Sequence, residues 1–587
     1  MNPNTVSAFA CLQALVEHGV RHFCLCPGAR NAPLIALLTD SFFQSYPGQH
    51  FEVISFFDER AAGFFALGKA RAQNRPVAVI TTSGTAVGEL LPSVMEAYYS
   101  GIPLVVVSAD RPRSYRGTGA PQTAEQQGIF GVYTPFQLDI EVDEVEAKLA
   151  HLNSEVFHQP VHLNLCFHEP LLEPPGRMEG SITSLSRGRS TSDRPVSPGV
   201  TLLSSSSGGE WTSSAEAFFQ ATSFPLVLVS SVHPSDRNGV LEFLKTWGAP
   251  VYLEATSGIQ EACDAQGLRI ACGDRIFERA HEAGYPVDGV LRLGGVPTLR
   301  FWRDLESKFA HLPVLSLSRV PFSGLSRPSQ WVVGDLKSIV LKLKDKVSSI
   351  TPFQRVRAEP FFQKDQVVRS ALRNLSERYP DSEPALVHAL SSLMKKRAFS
   401  QKRPLRLYLG NSLPIRQWDL ISACSPWTSQ TPGVDLESST GQRQEIWASR
   451  GLNGIDGQIS TFLGYADADS SNWALVGDLT ALYDLQGPWV LPQLGEQLEA
   501  HLVVINNGGG QIFSRMFSDP RFQNAHRLSF EAVAELWSMA YWKVQESSVL
   551  LAPEAQAFQR PWSLIELSPC ESSTQQFWDS YEAASRL

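Results

Sequence analysis

A chain of 587 residues exceeds what one hydrophobic core supports, so about three or four domains are expected. Its 43% hydrophobic and 19% charged residues are an ordinary globular balance, which excludes a chain obliged to stay disordered. A formal charge of -9 argues against a nucleic-acid or acidic-membrane surface, and the longest apolar stretches fall short of the roughly 20 residues a membrane span needs.

In chain order, helical periodicity over Thr5–His18 stops at Gly19. Strand-like Arg21–Cys26 ends at the Pro27-Gly28 turn, and a helix follows from Asn31. Cys24 and Cys26 alternate along that strand and read as buried strand residues. The eight cysteines show no disulfide spacing, and Met1–Ala10 carries no basic stretch before an apolar run, so the reducing cytoplasm is expected. The rhythm repeats: strand Phe51–Phe57, a helix from Asp58, strand Val77–Thr81, a helix after Gly84, and strand Leu104–Ser108. Such alternation predicts βαβ units and parallel sheets.

Pro174–Trp211 is rich in Ser, Pro, Gly and Arg and reads as a linker. A second block has strand patterns at Pro225–Ser230, Pro250–Glu254, Gly289–Leu293, Val314–Leu317 and Trp331–Val333, ending near Lys346. After a polar, proline-bearing connection, a third block has them at Arg406–Leu409, Trp473–Val476, Leu502–Ile505 and Ser563–Leu567. Three doubly wound, mostly parallel α/β domains are expected, over residues 1–185, 186–350 and 351–587.

The most informative segment is Val476-Gly477-Asp478-Leu479-Thr480, followed downstream by Asn506-Asn507-Gly508-Gly509-Gly510. Each closes a predicted strand. Strand C-terminal ends face the ligand crevice of a parallel sheet, so an Asp and an Asn delivered there can share one hard cation. Mg²⁺ takes an octahedron of oxygens, normally one or two protein carboxylates plus phosphate oxygens. Asp478, the Asn507 side-chain oxygen and a carbonyl near Gly509 leave room for a diphosphate. Taken singly, these segments read as a strand-ending turn and a surface loop. Their pairing at the ends of two strands favours the metal site.

A second constellation is Phe57-Asp58-Glu59-Arg60, entered from an apolar strand and continued by a helix. Glu59 also fits a helix-start acid behind an Asp58 N-cap. Arginines gather near strand ends or helix starts: Arg30 after Cys26-Pro27-Gly28-Ala29, Arg111 after Asp110, Arg300 after Gly295-Val296-Pro297-Thr298-Leu299, Arg416 after Gly410-Asn411-Ser412, and Arg450 before Gly451-Leu452-Asn453-Gly454. A guanidinium grips a carboxylate bidentately. Near 4 Å and an effective dielectric of about 20, each pair is worth roughly 4 kcal/mol before desolvation. Any one of them also reads as an ordinary surface residue.

The metal segment resembles the signature of thiamine-diphosphate enzymes. With Gly119-Ala120-Pro121-Gln122-Thr123 and strand Pro160–Asn164, the first and third blocks resemble the 2-succinyl-5-enolpyruvyl-6-hydroxy-3-cyclohexene-1-carboxylate synthases of menaquinone biosynthesis. The resemblance implies decarboxylation of 2-oxoglutarate on thiamine diphosphate and addition of the succinyl carbanion equivalent to isochorismate. It makes Glu59 the catalytic acid facing the cofactor's aminopyrimidine, and Asp478, Asn507 and Gly509 the Mg²⁺ or Mn²⁺ ligands. Ser412, Arg416, Ile455, Gly477, Leu479 and Thr480 would adjoin the cofactor, with Ile455 propping it in a bent form. Arg30, Arg111, Gln122, Arg300, Arg416 and Arg450 would bind substrate carboxylates and hydroxyls.

Leu479 stands where most thiamine-diphosphate enzymes carry glycine, which disfavours an acetolactate synthase or pyruvate decarboxylase. Ala29 replaces a usual serine, and Gly508 a polar residue. The resemblance also implies a homodimer or homotetramer in which Glu59 and Asp478 of different chains serve one cofactor. Alternatives are another thiamine-diphosphate decarboxylase or carboligase, and a cofactor-binding protein without catalysis. A nicotinamide dehydrogenase is disfavoured, since no Gly-x-Gly-x-x-Gly turn follows the first strand.

Overall fold

The computed structural model describes residues 2–153, 156–172, 210–271, 273–350, 355–421, 444–514, 516–517, 519–551 and 558–584. Its strands form three sheets of six, with parallel pairing throughout. The first comprises β1 (His22–Leu25), β2 (Glu52–Ser55), β3 (Val77–Thr81), β4 (Leu104–Asp110), β5 (Phe136–Ile140) and β6 (Val161–Cys166), in the order β2-β1-β3-β4-β6-β5. The second comprises β7 (Pro225–Val229), β8 (Val251–Leu253), β9 (Arg269–Ile270), β10 (Gly289–Leu293), β11 (Val314–Ser318) and β12 (Gln330–Val333), in the order β12-β11-β10-β7-β8-β9. The third comprises β13 (Leu405–Leu409), β14 (Gln444–Trp447), β15 (Ser471–Gly477), β16 (Ala500–Ile505), β17 (Ala540–Val544) and β18 (Trp562–Leu567), in the order β14-β13-β15-β16-β18-β17.

Central strands such as β3, β4, β7, β10 and β16 are buried at every residue, as continuous apolar runs covered on both faces should be. The first and third sheets share one topology. The middle sheet has the doubly wound order of dinucleotide-binding folds, with its switch point between β7 and β10. Cys24 and Cys26 are buried in the first sheet's interior, and burial pushes both thiols up.

Four strands lie outside the predicted set: β5, β9, β14 and β17. Each is an outermost strand of its sheet, where one flank is uncovered and the apolar run is interrupted or short. β4 runs to Asp110 rather than ending at Ser108. The expected linker lies mostly outside the described residues, and its last two positions, Glu210 and Trp211, are helical in Glu210–Ala221. The expected connection after Lys346 is also largely helical where described, with Leu336–Ile350 before it and Glu359–Arg378 after it.

The chain forms two compact units. One holds residues 1–201 with 456–466 and 484–495; the other holds the middle and third sheets. In the first unit, helix Glu59–Gln73 lies against helix Gln458–Tyr465. Gly68 and Gly464 face the opposing backbone so closely that a Cβ on Gly68 would run into the Thr461 carbonyl, and one on Gly464 into that of Phe65. Glycine at both positions is what lets the helices touch. Among the described residues, no helix is long and apolar enough to cross a membrane.

Candidate active site

In the unit built on the first sheet, Asp58 caps helix Glu59–Gln73 by accepting the Ala61 N–H at 2.8 Å. Its second oxygen accepts from Gln486 Nε2 at 2.8 Å. Glu59 is therefore held at the first helical position, half-buried. Burial pushes its carboxyl above the usual range, and the negative charges of Asp58 and Glu89 add to that. A carboxyl in this state holds a proton more readily than a free one.

Arg30 is buried, donates to the Phe167 carbonyl at 3.2 Å and pairs with Glu169 at 3.1 Å. The Arg111 backbone N–H donates to Asp110, while its guanidinium donates to the Pro121 carbonyl at 3.3 Å and sits 5.5 Å over the Tyr115 ring. Gln122, in the left-handed region at φ 58°, exchanges hydrogen bonds with Ser83. The structure thus joins the Arg111 and Gln122 loop to the end of β3. Gln126 secures this loop by accepting the Gly84 N–H and donating to Asn164 and the Ala109 carbonyl.

Beneath that loop lies a polar cluster the sequence does not announce. Asn164 donates to Asp110 at 3.0 Å and to Asp139 at 2.8 Å, and Arg116 bridges the same two carboxylates at 3.1 and 2.6 Å. Burial pushes Asp110 up, whereas around Asp139 the Arg116, Asn164 and Arg113 hydrogen bonds outweigh burial and hold the carboxyl well below its usual range. Asp110, Asp139 and Cys166 lie close enough to gather round a metal. The Arg116 guanidinium already supplies the positive charge there, also reaching Cys166 at 3.5 Å.

In the other unit, Asp478 follows β15 as the first residue of helix Asp478–Tyr483 and is buried. Its Oδ1 accepts the Leu479 N–H at 2.6 Å, and its Oδ2 accepts the Gly508 and Gly509 N–H groups, each at 2.9 Å. His526 Nε2 lies 3.3 Å away. Burial pushes the Asp478 carboxyl up despite these donors. A cation would supply charge that such a buried carboxylate lacks.

Asn507 Nδ2 donates to Glu383 at 2.9 Å, and Glu383 is held in turn by Gln417 at 2.6 Å. This commits the Asn507 nitrogen and leaves its oxygen as the atom for a metal. Gly509 has φ 136°, and a Cβ there would meet the Gln523 carbonyl at 2.5 Å, so only glycine gives this backbone path. The segments predicted to share a metal therefore meet, and their donor set fits a hard cation and a diphosphate. Gly477 and Leu479 are half-buried beside Asp478, and Thr480 is buried.

Ser412 adopts φ 73°, and its carbonyl accepts from Arg416 Nη1 at 2.6 Å. Asn411 gathers the neighbouring predicted residues. It accepts from Arg450 Nη1 at 2.6 Å and donates to the Ser449 and Gly454 carbonyls, the latter next to half-buried Ile455. Arg300 is exposed at the start of helix Arg300–Asp304. Glu383, Asn411, Gln126 and Gln486 were not singled out in the sequence. Each works through a partner distant along the chain, which leaves no local pattern to find.

A family model described as thiamine pyrophosphate enzyme, N-terminal TPP binding domain, matches residues 7–129. The 2-succinyl-5-enolpyruvyl-6-hydroxy-3-cyclohexene-1-carboxylate synthase of Bdellovibrio bacteriovorus is 41% identical over 97% of each chain. That of Akkermansia muciniphila is 34% identical over 95% of each, and that of Halobacterium salinarum 30% identical over 92% of this chain and 91% of its own. Identity at this level, sustained across all three sheets, makes the chain a member of the 2-succinyl-5-enolpyruvyl-6-hydroxy-3-cyclohexene-1-carboxylate synthase family of thiamine-pyrophosphate enzymes.

Proposed function

We propose that this transferase of menaquinone biosynthesis decarboxylates 2-oxoglutarate and joins the remaining succinyl unit to isochorismate, using thiamine diphosphate with Mg²⁺ or Mn²⁺. The observation that carries the reading is the cradle at the end of β15. There one buried carboxylate, an oriented asparagine and a glycine backbone converge in a chain whose full-length relatives bear the synthase name.

Asp478, Asn507 and Gly509 would hold the metal, with Gly477, Leu479 and Thr480 beside them as residues for the diphosphate. Ser412 and Ile455 would adjoin the cofactor. Thiamine diphosphate, when bound, supplies the nucleophilic carbon and the electron sink that decarboxylation requires. Glu59, whose affinity for a proton is raised by burial, would share a proton with a basic ring nitrogen of the cofactor. Arg30, Arg111, Arg300, Arg416 and Arg450 orient substrate carboxylates, and Gln122 a hydroxyl, on a protein whose net charge of -9 repels anions at long range.

The family resemblance adds a homodimer or homotetramer, in which Glu59 and Asp478 of different chains serve one cofactor, working in the cytoplasm. Purified protein mixed with thiamine diphosphate, Mg²⁺, 2-oxoglutarate and isochorismate tests the reaction by mass spectrometry. The expected result is the joined product with one CO₂ released per coupling. Release of CO₂ without that product would overturn the proposed acceptor.

A further inference from the structure

The middle sheet carries a buried acidic residue where a dinucleotide-binding fold holds its ribose. Glu254 follows β8, the second strand of that sheet, and is 3% exposed. Its carboxylate is already taken by the protein. Ser230 at the end of β7 donates to Oε2, and Thr298 donates to Oε1 through both its backbone N–H, at 2.8 Å, and its hydroxyl, at 2.9 Å. Thr298 stands two residues before Arg300, so this carboxylate fixes the turn from which the Arg300 helix starts.

The next residue continues the chain of contacts. The Ala255 N–H donates to Asp419 Oδ1 at 2.5 Å, and Gln260 Nε2 clasps the Glu254 and Ala255 carbonyls at 2.8 and 2.6 Å. Asp419 lies on helix Leu413–Ile421, three residues after Arg416, whose guanidinium returns to the Ser412 carbonyl at the helix start. Burial and the neighbouring charge of Glu254 push the Asp419 carboxyl up to about 8. A raised proton affinity lets the two acids lie near one another in the interior. A buried acid pair is costly to keep; of its members and partners, Thr298 lies on the turn before Arg300 and Asp419 on the helix that carries Arg416.

We propose that Glu254 and Asp419 are positioning residues that tie the Arg300 turn to the Arg416 helix, so that the two guanidiniums address the carboxylate substrates as one rigid set. This rests on the reading of Arg300 and Arg416 as substrate-binding residues. The middle sheet thereby serves the reaction as a scaffold, through the position that elsewhere would bind a nucleotide.

The test uses the holoenzyme and steady-state kinetics for both carboxylate substrates, with thermal melts alongside. Asp419→Ala and Thr298→Val are each expected to raise a substrate KM by about tenfold with a smaller change in kcat, and Asp419→Asn, which keeps the Oδ1 acceptor, to restore it. Combining Asp419→Ala with Arg300→Ala is expected to cost less than the product of the two single effects. If Asp419→Ala does not fold, Thr298→Val combined with Arg416→Ala gives the same comparison. Unchanged KM values in both Asp419→Ala and Thr298→Val, or strictly multiplicative double variants, would overturn the positioning role. If Arg300→Ala and Arg416→Ala themselves leave every KM unchanged, the substrate-binding reading fails instead.

Discussion

The first and third sheets have the same strand order but opposite solutions to a buried acid at a strand end. In the first, Asp110 closes the fourth strand and is enclosed with Asp139 by Arg116 and Asn164, so the compensating cation is part of the chain. In the third, Asp478 follows the third strand and meets backbone N–H groups and one imidazole, and Asn507, just past the fourth, has its nitrogen committed to Glu383. Topology delivers polar groups to both crevices. The first crevice holds its own guanidinium, whereas the third presents a carboxylate and an amide oxygen to which a cation could be added.

Breaking the internal solution should have the largest effect. Arg116→Leu leaves two carboxylates without their guanidinium and is expected to cost about 3–5 kcal/mol in denaturant unfolding. Adding Mg²⁺ should not restore that loss; if it did, the Asp110 cluster would be a metal site after all. Next is the chemistry lent by the first unit: Glu59→Gln is expected to lower turnover by about 10²- to 10³-fold while cofactor affinity in calorimetry stays close to wild type. Asp478→Asn should instead weaken Mg²⁺-dependent cofactor binding about 100-fold, or roughly 2.7 kcal/mol, with little change in melting temperature of the apo protein.

The smallest expected effect is shared by both sheets. Burial alone would push Glu52 up, but the His22 hydrogen bond and the Lys69 ammonium outweigh it and hold the carboxyl at about 2. Glu499 is held at about 2 in the same way, by His501 and Arg397 against burial. A depressed carboxyl contributes stability that is complete above its unfolded value near 4.5 and is lost as pH falls towards 2. Each should contribute about 1 kcal/mol after solvent screening. Glu52→Gln and Glu499→Gln should therefore flatten the fall of stability between about pH 5 and pH 2.

What was legible in the sequence follows from how each feature is encoded. Central strands such as Val77–Thr81 and Leu502–Ile505 are continuous apolar runs because both their faces are covered, and they were found. The edge strands Phe136–Ile140, Gln444–Trp447 and Ala540–Val544 mix polar and apolar residues because only part of each is buried, and they were missed. At the candidate site, the Asp478 segment and the Asn507 loop could be paired from the sequence because each is a short, glycine-bearing segment after a strand, and the structure brings the two together. Glu383, Asp419 and the Asp110–Asn164–Arg116 cluster could not be so read, since each acquires meaning only from a partner that folding brings to it.

The two glycines that let helix Glu59–Gln73 lie against helix Gln458–Tyr465 bear on how the chain is made. The first unit needs residues up to 495. A ribosome that has delivered the first sheet must still deliver some three hundred residues before the second helix of that pair emerges. Closing so long a loop is slow, while its extra entropic cost grows only logarithmically with length. The nascent N-terminal region therefore waits with the Gly68 face of its helix uncovered, and emergence of residues 458–495, rather than the first sheet's own synthesis, sets when the segment bearing Glu59 gains its packing partner.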